Sequence, residues 1–242
     1  MVSKRFDTIK SMLDYTTKDV HYYILLLSAP ILLTFYRYFS YPENIFKYFP
    51  SLLTSAEGTV MGYKWHFFGF FILMFLVPAL HVFFFWRKSF DDLGWGLGDK
   101  KFGIKFTIIT LIFMVLPVAY LGSSDLSVVS EYPLAKVLLT EKNLVWGYHL
   151  AYVVFYYVAW EFYFRGYLLF GLKEKYGAVA AILIQTISSC LIHIDKPFSE
   201  IFLSIPVGIF LGMVALRSRS FWYAFLVHAT LGVLTDLFII FK

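Results

Sequence analysis

Seven apolar stretches dominate the chain, at about 20–39, 66–86, 104–122, 146–172, 177–193, 198–216 and 220–241, each near the roughly 20 residues a helix needs to cross a bilayer. In a hydrocarbon layer every backbone N–H and C=O must be satisfied within the protein, so runs of this kind fold as helices packed against one another. Only 15 % of the 242 residues are charged, against about 25 % in a soluble domain. The fold expected is therefore all-α, a polytopic membrane helix bundle of about seven to eight transmembrane helices, with residues 1–242 forming a single integral membrane domain. Pro30, Pro78, Pro117 and Pro206 fall inside spans, where neighbouring helices accommodate the lost hydrogen bond. An eighth, re-entrant piece has room near 44–55 or 132–142. The first apolar run begins near Val20 behind a polar N-terminus and is too long for the core of a cleaved signal peptide. A lone cysteine, Cys190, excludes an internal disulfide and a multi-cysteine metal site.

Basic residues orient the bundle. One set of connections carries Lys4, Arg5, Lys10, Lys18, Arg87, Lys88, Lys100, Lys101, Lys105, Lys173, Lys175, Arg217 and Arg219, thirteen in all. The other carries Arg37, Lys47, Lys64, Lys136, Lys142, Lys196 and Lys242, which is seven. Because lysine and arginine are retained on the inner side of a membrane, the expectation is a multi-pass protein of the cell (plasma) membrane with a cytoplasmic N-terminus and, with seven spans, an external C-terminus. Loop lysines facing anionic lipid account for the net charge of +5, and no nucleic-acid partner is called for. The loop at 90–99 is rich in Gly and Asp but has no nucleotide-binding pattern.

Within the fourth apolar run, Glu161 and Arg165 are spaced i, i+4 and lie on one helix face. Ionisable groups at such depth are costly and generally functional, although a structural ion pair is the plain alternative. His193 closes the fifth run and His228 lies in the last. Counted along ideal helices, Glu161 lies roughly 18 Å and His193 about 24 Å above the tip of the hairpin between them, and His228 about 12 Å from the basic face; with the charged tip 173–175 projecting into water, all three fall in a slab near mid-membrane. A carboxylate and two imidazoles in a partly desolvated cavity can take a proton from water attacking a peptide carbonyl and return one to the leaving amine. The same trio also matches a zinc site of the His₂Glu type, but the chain contains no HExxH motif. His21, His66, His81 and His149 sit at span edges or in apolar surroundings without a nearby acid in the sequence.

The stretch Glu161-Phe162-Tyr163-Phe164-Arg165-Gly166, the histidine in His193-Ile194-Asp195-Lys196-Pro197 and the run from Gly208 to Ala229 resemble the CPBP family, the Abi or type II CAAX-processing intramembrane glutamic proteases. The resemblance covers about 146–236 and rests on the motifs EExxxR, FxxxH and HxxxN. Glu161 and Arg165 match the second glutamate and the arginine, His193 the second motif and His228 the third. Trp160 stands where the first glutamate belongs, Ser189 replaces the phenylalanine, and Gly232 replaces the asparagine. The resemblance implies a helix bundle with a cavity opening to the cytoplasm, and cleavage of a membrane-associated protein or peptide with no cofactor required. Glu161, His193 and His228 are then the catalytic candidates, and Arg165 orients them. Thr235, seven residues past His228, is the candidate substitute for the missing asparagine, with Asp236 beside it. The altered motifs keep a second reading open, a membrane binding, immunity or regulatory protein of the same family without activity. A third, an ion or proton transporter, lacks the repeated halves of that class.

Overall fold

The computed structural model describes residues 16–242. Lys4, Arg5 and Lys10, counted above for orientation, lie outside the described residues. Six helices are long and apolar enough to cross a membrane. Helix α1 spans Thr17–Phe39, α2 Ala56–Trp86 and α3 Lys100–Gly122. A fourth, Lys142–Ile192, has 51 residues, which at 1.5 Å per residue is roughly twice the hydrocarbon thickness or more. It breaks at Gly177, whose φ of 81° and ψ of 168° are non-helical and open chiefly to a residue without a β-carbon. Helices α4 (142–176) and α5 (178–192) thus form a hairpin, and Phe198–Ser218 and Trp222–Phe241 follow as α6 and α7. Seven rods result, within the number expected. The second begins ten residues ahead of the apolar run, because Ser55 caps it by accepting from the Gly58 N–H at 3.0 Å. Of the two stretches with room for an eighth crossing, 44–55 holds the seven-residue helix Pro42–Tyr48 and a tight turn, and 132–142 a turn at Lys136–Leu139. Both are too short to cross.

Helix α4 is the centre of the bundle. Residues 159–169 are all buried, as expected of a helix apolar around its whole circumference. Each neighbour grips it differently. On α1, the Ser28 and Tyr163 hydroxyls are 2.8 Å apart. On α2, Phe67 stacks on Tyr152 at 4.6 Å and Phe70 on Trp160 at 5.8 Å. The outward faces remain apolar and exposed, for instance Leu27, Ile31 and Phe35 of α1 and Ile108, Ile112 and Phe113 of α3, which is the pattern of a surface solvated by lipid.

The connections gather at two ends. At one end, Lys88 pairs with Glu174, Lys175 with Asp19 at 2.6 Å, and Arg217 with Asp99 at 2.8 Å. Asp99 also accepts from the Phe102 N–H at the start of α3, and these contacts hold its carboxyl below the usual range. At the other end lie the α1–α2, α3–α4 and α5–α6 connections and the C-terminal Lys242, which bonds to Ser124.

Candidate active site

The stripe Tyr157, Trp160, Glu161 follows from i, i+3, i+4 spacing on α4, and all three residues meet His228 of α7. The Tyr157 and Trp160 rings lie 4.9 and 5.5 Å from its imidazole. Glu161 is completely buried, and its Oε1 accepts from His228 Nδ1 at 2.7 Å and from Arg165 Nη1 at 3.2 Å. One carboxylate therefore serves two donors, and the buried arginine balances its charge. With Nδ1 committed, His228 has Nε2 as its free nitrogen.

A cavity of about 420 Å³ lies next to this pair, and His228, His193, Trp160, Tyr157, Tyr132 and Glu200 are among the residues lining it. Glu161 is not in its wall. The sequence suggested that the Glu161 carboxylate meets the water itself; the geometry instead places it behind His228, outside the cavity wall. His193 and His228 flank the same indole, with Trp160 lying 5.3 Å from His193. The indole nitrogen is buried with no hydrogen-bond partner.

His193 occupies the short connection after α5. Its Nδ1 donates to the Ser189 carbonyl at 2.8 Å, so Nε2 is an acceptor. Burial pushes its pKa down to about 4, which keeps the ring neutral near pH 7. It does not reach Glu161. Its Nε2 faces Oε1 of Glu200, at 3.9 Å, and that same oxygen accepts the Tyr132 hydroxyl at 2.8 Å. Neither Glu200 nor Tyr132 stood out in the sequence as a site residue. The available signal was a glutamate in the first turn of an apolar span, a weaker mark than the mid-span glutamate with an arginine at i+4 that singled out Glu161.

The remaining candidates separate. Thr235 donates its hydroxyl to the Leu231 carbonyl of its own helix at 2.8 Å. The space expected for an asparagine at 232 is taken by Tyr157, whose hydroxyl lies 1.7 Å from where a β-carbon on Gly232 would be. Asp236 is buried with an oxygen 3.2 Å from Nε2 of His149, so His149 does have an acid beside it, across α4 and α7. His66 is held at both nitrogens, by Tyr36 at 2.9 Å and Ser40 at 2.8 Å. His21 and His81 lie 3.2 Å apart, and His81 also meets Tyr167 at 2.9 Å. These four histidines tie helices together. Among the described residues no three His, Cys, Asp or Glu side chains converge as metal ligands, so Glu161, His193 and His228 do not make the His₂Glu cage.

The cavity rim includes Glu43, Glu131, Lys136 and Lys196, which belong to the end that carries Lys242. By the lysine and arginine count this is the less basic end. The resemblance implies a cytoplasmic mouth, whereas the charge count puts this end outside, and the two expectations cannot both hold for one bundle.

Residues 142–234 match the family model described as type II CAAX prenyl endopeptidase Rce1-like, in agreement with the family to which the motifs pointed. No curated protein and no solved structure matches the chain.

Proposed function

Because residues 142–234 match the Rce1-like type II CAAX prenyl endopeptidases, we propose that this membrane protein is an intramembrane endopeptidase that hydrolyses a peptide bond in a membrane-associated protein or peptide. The observation that carries the reading is the 2.7 Å contact between Glu161 and His228 at the wall of a cavity that His193 also lines. A buried carboxylate behind an imidazole fixes the orientation of the ring, the arrangement by which one histidine serves acid–base chemistry in many hydrolases. His228 turns Nε2–H to the substrate and protonates the departing nitrogen. The water is held on the opposite wall, where His193 offers Nε2 as an acceptor. The Tyr157 hydroxyl, in the room left by Gly232, donates to the Tyr152 hydroxyl at 3.2 Å and turns from it to donate to the developing oxyanion. These groups supply the proton transfers without a cofactor.

The excess of lysine and arginine at the other end favours a cytoplasmic N-terminus in the plasma membrane. The mouth then opens on the far side, and the substrate is one presented there. The likeness to prenyl endopeptidases extends on this reading to the chemistry and not to a cytoplasmic prenylated tail.

Trp160 favours a second reading. Its indole fills the place between the imidazoles, which suits a protein that holds a membrane partner in the cavity without cutting it. The two readings part in one assay: purified protein in detergent with a panel of membrane-anchored peptides, beside Glu161→Gln, His193→Ala and His228→Ala. Cleavage lost in the variants supports the enzyme, while binding with no cleavage by the wild type supports the second reading.

A further inference from the structure

We propose that Glu200 takes the proton from the attacking water, and that this water is held between Oε1 of Glu200 and Nε2 of His193. The inference rests on the hydrolytic reading above and names the proton acceptor that reading requires on the His193 wall.

Three acids line the cavity, namely Glu43, Glu131 and Glu200. Two are matched by cations, Glu43 by Arg37 at 3.1 Å and Glu131 by Lys196. Among the described residues Glu200 has no lysine or arginine within ion-pair distance, and its one charged-type contact is His193. The groups that face it are Tyr132 and Glu131 from the α3–α4 connection, His193 and Lys196 from the α5–α6 connection, Tyr156 and Tyr157 from α4 and, across the cavity, His228. Tyr132 donates to Oε1 at 2.8 Å and fixes the carboxylate.

The 3.9 Å between Oε1 and His193 Nε2 is too long for a direct hydrogen bond. Both atoms are acceptors, since the His193 proton is on Nδ1, bonded to Ser189. Two acceptors at this spacing suit one water that donates an O–H to each, at about 2.8 Å. Such a water has its lone pairs turned away from both and available to a carbonyl carbon in the cavity. As the C–O bond forms, the proton passes to the Glu200 carboxylate. The C–N bond breaks as His228 Nε2–H protonates the nitrogen, giving a carboxylic acid and an amine. A proton moving from the Glu200 carboxyl to His228 through cavity water restores both groups. Glu161 cannot serve in this way, because it is sealed from the cavity.

The test is the kinetics of Glu200→Gln and Tyr132→Phe against wild type and His228→Ala, with unfolding temperatures in detergent. Glu200→Gln is expected to lower kcat by about 100-fold or more with KM within about threefold, and its residual rate is expected to lack the wild-type fall on the acid side. Tyr132→Phe, which frees the carboxylate without removing it, is expected to lower kcat about tenfold at unchanged KM. A Glu200→Gln rate within about threefold of wild type, or a residual rate with the same acid limb, overturns the assignment. If Glu200→Gln does not fold, a wild-type rate in a folded Tyr132→Phe overturns it equally. A wild type that cleaves nothing brings down the hydrolytic reading and this inference with it. Cleavage lost in His228→Ala but kept in Glu200→Gln brings down Glu200 alone.

Discussion

The hydroxyl of Tyr157 lies 1.7 Å from the point that a β-carbon on Gly232 would occupy. The two residues are a matched pair across α4 and α7, and the tyrosine is also in ring contact with His228. A side chain at 232 must push the phenol off His228. Gly232→Ala is expected to destabilise the protein by about 1–3 kcal/mol, the usual scale of overpacking. Tyr157→Ala in the same chain is expected to recover part of that loss, so the two changes are non-additive. Thermal unfolding of the single and double variants in detergent measures the coupling, and strict additivity would show that the contact is not tight.

Arg165 balances a fully buried carboxylate. Arg165→Met leaves Glu161, with its second oxygen unpartnered, only its contact with His228 in a medium of low dielectric. Removing one partner of a buried pair costs about 3–5 kcal/mol, and a loss of that order is expected in denaturant unfolding. Arg165→Met combined with Glu161→Gln, which removes the charge as well, is expected to be more stable than Arg165→Met alone. The opposite order would mean that the pair is not what holds this turn.

Burial sets a pH dependence at His193. Its pKa in the folded protein is about 4, below the ordinary value near 6.5. Between these values the unfolded chain binds a proton that the folded one does not, so stability is full above the ordinary value and falls as pH drops towards about 4. The contribution is on the order of 3 kcal/mol. Unfolding temperatures from pH 7 to 4, compared with His193→Gln, check it, and identical slopes for the two proteins would exclude His193 as a source.

Most of the fold was legible because the bilayer leaves little choice. An apolar run of about 20 residues has to be a helix, and six of the seven ran close to their expected limits. The break that makes two rods from Lys142–Ile192 was marked by the charged tip ahead of Gly177. Depth counting correctly brought Glu161 and His228 together. It could not say which of them faces the cavity, since that depends on the rotation of α4 against α7. The partners missed were those joined across elements: Glu200 with Tyr132, Asp236 with His149, and Tyr157 with Gly232. Each is a contact between residues remote in the chain that local spacing does not encode. Thr235 shared a face with His228 as counted, yet its own helix backbone claims the hydroxyl.

The side of the membrane on which the cavity opens follows from where the C-terminus lies, because Lys242 and the cavity rim share one end. A C-terminal alkaline phosphatase fusion is expected to be active and a C-terminal fluorescent-protein fusion dark. A bright fluorescent fusion would put the mouth in the cytoplasm and revive a cytoplasmic substrate.

On the hydrolytic reading, water cleaves a peptide bond in this cavity through His228 backed by Glu161. This is tested by digesting a membrane-anchored peptide in ¹⁸O-enriched water and weighing, by mass spectrometry, the N-terminal fragment, which bears the new carboxyl group. The wild-type protein is expected to yield a fragment carrying one ¹⁸O at its new carboxyl terminus, and His228→Ala, folded to the same unfolding temperature, is expected to yield none. Equal labelled product from wild type and His228→Ala would overturn the role of His228, and a wild type that binds the peptides and leaves every one intact would overturn hydrolysis itself.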